Sequence, residues 1–231
     1  MLTTGCDAVD DLLLGGFPPG IVSELCGVAG SGKTQLALQL LLRAQLPTDQ
    51  GGLDGRSCYM YTDSLSPLKR LNELAQNYKN DEVSLDKIFL EIATDPMQLL
   101  NALKTRLPTL LDRHKVRLVV IDAITAVFRG IAVDSAADAG DRSKIMFEMV
   151  NCMRILAAQY DVVFVVINQM TTNMTVGIVP ALGLAWSTCV NQRFQLAKVK
   201  NPSFRSFKTI FSPYLPSEKS ALFEITASKL Q

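Results

Sequence analysis

The sequence predicts an α/β fold: a mainly parallel central sheet with antiparallel strands added at its C-terminal edge. Three observations lead there. Gly27-Val28-Ala29-Gly30-Ser31-Gly32-Lys33-Thr34 is a complete phosphate-binding loop, G-x-x-x-x-G-K-T, between a strand-like run, Ile21 to Cys26, and a helix-like run, Lys33 to Arg43. Beyond it, strand-like and helix-like segments alternate, as crossover units require. From Cys189 onward the pattern changes to β-rich pieces separated by turns. With 231 residues, 48% of them hydrophobic, the chain is long enough for one well-buried domain, taken as 1–231.

Each element carries its own signal. Ser57 to Tyr61 reads as a strand. Ser66 followed by Pro67 pairs a capping residue with a proline whose fixed φ suits a first helical turn, and predicts a helix to about Tyr78. Ile88 to Ile92 is a short strand, and Asp95-Pro96 repeats the start signal for a helix to about Asp112. Leu118 to Ile121 is a continuous apolar run of the kind buried on both faces, ending on Asp122. Ser143 to Gln159 carries Ile145, Met146, Met149, Val150, Met153 and Leu156 at helical spacing, a core-facing stripe. Val162 to Ile167 is a further buried strand, and Cys189 to Lys198, Phe204 to Phe211 and Ala221 to Thr226 are the expected antiparallel additions.

The loop defines a chemistry. Its glycines let successive N–H groups converge on phosphate oxygens, and the helix that follows adds the positive end of its dipole. Lys33 is expected to reach the outer phosphates and Thr34 to hold magnesium. Asp122, at the carboxyl end of a buried strand, is the matching acid that orients the metal, mostly through water; the alternative is a turn-making acid. ATP or GTP with Mg2+ is the predicted ligand.

Composition narrows the rest. A formal charge of +1 gives no global attraction to nucleic acid or to an acidic membrane, so such affinity must come from local patches. Cys6, Cys26, Cys58, Cys152 and Cys189 form no C-x-x-C pair and read as reduced, core-filling thiols of an intracellular protein. His114 has no cysteine or histidine at ligand spacing and reads as a polar residue beside a helix end, with no structural metal. Met1 to Thr4 lacks the basic and apolar parts of a secretory leader. Val162 to Gln192 contains no Asp, Glu, Lys or Arg, yet Asn168, Gln169, Thr171, Thr172, Asn173, Gly177 and Pro180 interrupt it, so it is expected to be a buried strand and an uncharged loop rather than a membrane span.

The opening Leu2-Thr3-Thr4-Gly5-Cys6-Asp7-Ala8-Val9-Asp10, the Gly15-Gly16 turn, Ser23-Glu24-Leu25 and the continuation Gly32-Lys33-Thr34-Gln35 resemble the core of RecA-type recombinases in their eukaryotic form. Phe128-Arg129, Val165 to Gln169 and Ser212 to Pro216 follow in that family's order, so the resemblance covers most of the chain. Pro180 to Trp186 and Lys69-Arg70-Leu71 look most like the family's DNA-repair paralogues. The resemblance implies a RecA-like core, ATP as the nucleotide, Gln35 as part of its site, a role in homologous recombination and a nuclear location. It also implies, as partners, a second paralogue subunit sharing an ATP, a recombinase filament and single-stranded or branched DNA. The chain begins directly at the core, either as a trimmed piece of a longer protein or as a short member; a missing polymerisation linker would favour a pair or an end-cap over a long filament.

Carried over by position, the family's water-orienting glutamate falls on Asp63, in Tyr61-Thr62-Asp63-Ser64. Aspartate is one methylene shorter, and a misplacement of about 1 Å can cost ~10²-fold in rate. Slow hydrolysis follows if Asp63 holds that role; otherwise it is a strand-end turn residue. Gln169 matches the glutamine that senses the terminal phosphate and leads into a DNA-facing loop, here Met170 to Ala181, which carries no cation. The other DNA-facing loop, Phe128 to Ser143, offers Arg129 and Arg142 against Asp134, Asp138 and Asp141. Arg193 to Lys208 interleaves Arg193, Lys198, Lys200, Arg205 and Lys208 with Phe194, Phe204 and Phe207; this is either a nucleic-acid surface or strands with one charged, solvated face and aromatics turned inward. Pro216 matches the proline that caps a neighbouring subunit's nucleotide, and Phe211 stands where active recombinases have an aspartate.

Overall fold

The computed structural model describes residues 1–62, 66–78, 82–129, 135–173, 175 and 177–226. Its strands are β1 (Val22–Gly27), β2 (Arg56–Tyr61), β3 (Ile88–Ile92), β4 (Val116–Asp122), β5 (Val163–Asn173), β6 (Gly177–Pro180), β7 (Gln192–Lys198), β8 (Phe204–Phe211) and β9 (Ser220–Glu224). They form a nine-stranded sheet in the order β3-β2-β4-β5-β1-β7-β8-β9, with β6 attached to β5 alone. The helices are α1 (Asp7–Leu12), α2 (Lys33–Arg43), α3 (Leu68–Ala75), α4 (Pro96–Asn101), α5 (Leu107–Arg113), α6 (Ala136–Tyr160) and α7 (Gly183–Ser187).

The apolar strand sequences follow from burial on both faces. Along β4, Leu118 and Val120 enter one core with α2, while Val119 and Ile121 enter the other with α6. Along β5, Val163, Val165 and Ile167 join the first core and Phe164 and Val166 the second. Alternate side chains therefore need opposite partners but the same apolar character, which removes the period-two signal.

Several elements differ from expectation. β7 pairs parallel with β1, and only β8 and β9 are antiparallel additions. After α7 the chain returns to the amino end of β1, where Asn191 Oδ1 accepts from Val22 N at 2.9 Å and Asn191 N donates to Val22 O at 3.1 Å, so β7 starts level with β1. Met170 to Ala181 contains strands rather than an uncharged loop: β5 runs on to Asn173 and pairs with β6, Met170 facing Pro180 and Asn173 facing Gly177. Helix α6 begins at Ala136, two turns before the predicted Ser143, so Asp138, Asp141 and Arg142 lie on a helix. Its start is a capping box in which Ser135 Oγ accepts from Asp138 N (3.1 Å) and Asp138 Oδ2 accepts from Ser135 N (2.9 Å). These first turns are exposed and carry no apolar stripe, which is why periodicity misses them.

Helix α3 starts at Leu68 with Pro67, not Ser66, at the cap position and no side-chain cap, although Ser66 Oγ accepts from Leu68 N at 3.4 Å; it ends at Ala75 rather than near Tyr78. The helix predicted from Asp95-Pro96 is present with Asp95 as its cap, but a π-helical turn, Ala102–Arg106, joins α4 to α5. Pro108 accounts for the wider turn: it has no N–H for the preceding ladder, and its ring needs room. His114 ends α5 and packs against Phe89, ring centroids 4.9 Å apart. All five cysteines are free thiols; burial pushes those of Cys26 and Cys58 up to about 12, which makes them poor nucleophiles. Among the described residues no helix is long and apolar enough to cross a membrane.

Candidate functional site

The carboxyl ends of the parallel strands converge on one region. Gly27 closes β1 beside Gln169 of β5, and Asp122 closes β4 beside Tyr61 of β2. At Gly27 a side chain is excluded: a Cβ would stand 2.2 Å from the carbonyl oxygen of Leu196 on β7. Gly32 caps α2 in the left-handed region, φ 101°, so the chain turns from loop to helix with its N–H groups directed inward.

Lys33 is buried at the base of this loop. Its Nζ donates to Gly27 O (2.7 Å) and Val28 O (2.9 Å), and desolvation pulls its pKa below the ordinary lysine range while Asp122 opposes that shift. Thr34 follows with its side chain exposed. Asp122 is held from two sides. Tyr59 Oη donates to Asp122 Oδ2 at 2.9 Å, and the backbone around it is pinned by Thr62, whose N donates to Asp122 O (3.0 Å) and whose Oγ1 accepts from Ala123 N (3.0 Å).

A cavity of about 510 Å³ opens beside the loop, lined by Lys33, Thr34, Gln35, Tyr59, Arg70 and Arg205, with Ile225 also in its lining. Gln35 Oε1 accepts from Arg70 Nε at 2.9 Å. A guanidinium can only donate, so the Gln35 carbonyl must face Arg70 and its amide NH2 is the group left over. That Nε2 is buried without a partner, and so is Arg205 Nε, although Arg205 Nη1 donates to the carbonyls of Pro202 (2.6 Å) and Phe204 (2.7 Å). Buried donors without acceptors are costly unless a ligand supplies the acceptors. A nucleoside triphosphate with its metal fits this donor set: phosphate oxygens for the loop and Lys33, metal coordination for Thr34 and Asp122, and acceptors on sugar or base for Gln35 and Arg205.

Gln169 lies beside the loop, and its Oε1 accepts from Arg129. Arg142 stacks over Phe128, 5.3 Å from the ring centroid. Thr125, Phe128, Arg129, Arg142, Gln169 and Ala181 line a second cavity, about 220 Å³, so both arginines predicted from sequence meet the predicted sensor in one place. Asp63 lies outside the described residues. Pro216 is exposed and lines neither cavity; its turn is fixed by Ser212 Oγ, which donates to Gln192 Oε1 (3.2 Å) and accepts from Leu215 N (3.3 Å), with Leu215 buried.

The family model for Rad51 matches residues 1–231. The chain belongs to the Rad51 family. It is 29% identical over 283 residues to the DNA repair protein XRCC3 homolog of Arabidopsis thaliana, spanning 97% of this chain and 90% of that protein. It is 33% identical over 242 residues to the DNA repair protein XRCC3 of Bos taurus, spanning 94% and 70%. The DNA repair protein rhp57 of Schizosaccharomyces pombe is 28% identical, spanning 93% and 75%. The likeness of Pro180 to Trp186 and Lys69 to Leu71 to DNA-repair paralogues agrees with these names, and the RecA-like core agrees with the family.

Of the two readings of Arg193 to Lys208 in this Rad51-family chain, the structure favours strands with aromatics turned inward, although the charged side chains do not share one solvated face. Arg193 is buried and pairs with Glu24, Lys208 pairs with Glu218, Arg205 faces the nucleotide cavity, and Lys198 Nζ lies beside Gly30 of the phosphate loop. Phe194 and Phe207 are fully buried, as strand alternation against a core demands. Phe211 packs under Arg193, whose guanidinium carbon is 5.4 Å from the ring centroid. Sequence reasoning missed Tyr59, Arg70 and Arg205 as site residues: each is remote in sequence from the loop, and no motif spacing links them to it.

Tyr59 is testable by itself. Tyr59→Phe removes one hydrogen bond to a charged oxygen, worth about 1.5–3 kcal/mol, and should weaken Mg2+ more than nucleotide. Titration of labelled nucleotide with and without Mg2+ should show the loss in the Mg2+-dependent part; an equal loss in both would refute the role.

Proposed function

We propose that this chain is an ATP-binding recombinase paralogue of homologous-recombination repair of DNA double-strand breaks, acting in the nucleus. It pairs with another paralogue across a shared ATP, with Pro216 capping the neighbouring subunit's nucleotide, and loads or stabilises recombinase on single-stranded DNA, with slow hydrolysis. The observation that carries this reading is an intact phosphate loop whose strand β1 pairs with β5, the strand that runs on into a cation-free hairpin. The three relatives named above, each a DNA repair protein, support the same role.

The residues divide the work. The loop N–H groups and Lys33 bind phosphate, Thr34 and Asp122 hold Mg2+, and Tyr59 orients Asp122. The metal, when bound, neutralises charge on the phosphates. Gln35 Nε2 and Arg205 Nε donate to the sugar or base, and Asp63 stands as a shortened acid for the attacking water. Arg129 and Arg142 are the nearest cations for DNA. With no Lys or Arg from Met170 to Ala181, phosphate contacts are few and affinity for DNA is weak alone.

ATP turnover with and without single-stranded DNA tests the reading, beside Asp63→Glu. Nucleotide binding with negligible turnover, raised by Asp63→Glu, is expected. A brisk DNA-stimulated rate, equal in the two proteins, would instead favour an active strand-exchange enzyme; tight ATP binding with no DNA affinity even in a paralogue pair would favour a nucleotide-glued scaffold.

A further inference from the structure

Glu24 is a fully buried carboxylate on β1, outside the phosphate loop, that the nucleotide chemistry does not use. Both of its oxygens are engaged. Oε1 accepts from Asn168 Nδ2 (2.6 Å) and from the indole Nε1 of Trp186 (3.0 Å), and Oε2 accepts from Arg193 Nε (2.5 Å). Four elements therefore meet on one charge: β1, which leads into the loop; β5, which carries Gln169; α7; and β7.

The hairpin is tied to the same point. Asn168 immediately precedes Gln169, and its Nδ2 also donates to Ala181 O at 3.0 Å, while Ala181 N donates to Gln169 O at 2.8 Å. Arg193 Nη1 reaches Ser187 at the end of α7, at 3.0 Å. Charge-assisted bonds inside a dry core have no water to replace them, so the partners must move together or exchange partners within the cluster. The cluster retains means for such an exchange: Asn168 Oδ1, an acceptor, and Arg193 Nη2, a donor, are both buried without partners.

We propose that Glu24 is a positioning residue that couples the state of Gln169 to the hairpin and α7, so that the terminal phosphate is read out at Trp186. This rests on Gln169 sensing the terminal phosphate, the role that its match to the family's glutamine implies. When Gln169 engages that phosphate, the turn it shares with Asn168 shifts, and the Asn168–Glu24–Trp186 bonds carry the shift to α7, which presents the exposed Leu184. The face so moved is the uncharged one beside Arg129 and Arg142.

The chain has one tryptophan, so emission excited selectively at tryptophan reports this cluster alone. The full chain is titrated with Mg2+ and either ADP or a non-hydrolysable ATP analogue, and binding is measured separately by equilibrium dialysis. The analogue is expected to shift Trp186 emission and ADP to leave it near the free value, both at saturation. The difference is expected to vanish in Glu24→Gln, which keeps the shape but not the charge, and in Gln169→Ala, an independent variant should Glu24→Gln not fold. Equal emission with both nucleotides bound overturns the coupling, as does a difference that survives Gln169→Ala. Failure of either nucleotide to bind refutes the ATP reading itself, and this inference with it.

Discussion

Lys33→Ala should lower ATP affinity by ~10²- to 10³-fold while leaving the fold intact. The ammonium can make charge-assisted hydrogen bonds to phosphate, each worth about 1.5–3 kcal/mol, and every 1.4 kcal/mol is about tenfold in affinity. Part of that gain is offset in the wild type, because Nζ must leave the carbonyls of Gly27 and Val28 that hold it in this structure. Val28 lies in an exposed stretch with Ala29 and Gly30, so water replaces the lost donor at its carbonyl, and only the buried Gly27 carbonyl loses a partner, a modest cost in stability. Calorimetric titration of ATP checks the affinity, and a urea curve checks the fold. Affinity within about threefold of wild type would remove Lys33 from the phosphate site.

The largest stability effect is expected at Arg193. Arg193→Ala strands the Glu24 carboxylate in the core, and breaking a buried pair in this way costs about 3–5 kcal/mol. The loss should appear as a lower urea midpoint with an unchanged slope, since the surface exposed on unfolding hardly changes. Removing both charges together, Glu24→Met with Arg193→Met, should recover part of it, because well-packed apolar substitutes for an ion pair are often neutral. Recovery should be incomplete here: Asn168 Nδ2 would keep Ala181 O, but the Trp186 indole would lose its acceptor, at about 1–3 kcal/mol for an unmet buried donor. A double variant no better than Arg193→Ala would show that packing, not the ion pair, supplies the stability.

These two residues also mark the limit of what can be read from the chain alone. Lys33 is legible because a phosphate loop is local: glycines, lysine and threonine act within eight consecutive residues, and the spacing states the chemistry. Arg193 is misread for the opposite reason. On a strand of alternating charge and aromatic residues it looks solvated, and only the register of β7 against β1, with Arg193 beside Glu24, turns it inward. Phe211 likewise looks like the loss of an acid until its ring is seen beneath the Arg193 guanidinium.

The sequence by itself determined the α/β class, the phosphate loop, Asp122 at the end of β4, and Gln169 at the carboxyl end of a buried strand, because each depends on neighbours within one element. Tertiary structure alone decided that Tyr59 holds Asp122, that Gln35, Arg70 and Arg205 line one cavity, and that Arg129 meets Gln169. It also decided that β7 runs parallel to β1 and that β5 and β6 make a hairpin of the uncharged segment. The reason is physical: local spacing fixes which backbone groups a residue can satisfy, but the partner of a buried side chain is set by strand order and register, which join residues more than a hundred positions apart, as with Glu24 and Trp186, whose separation is 162.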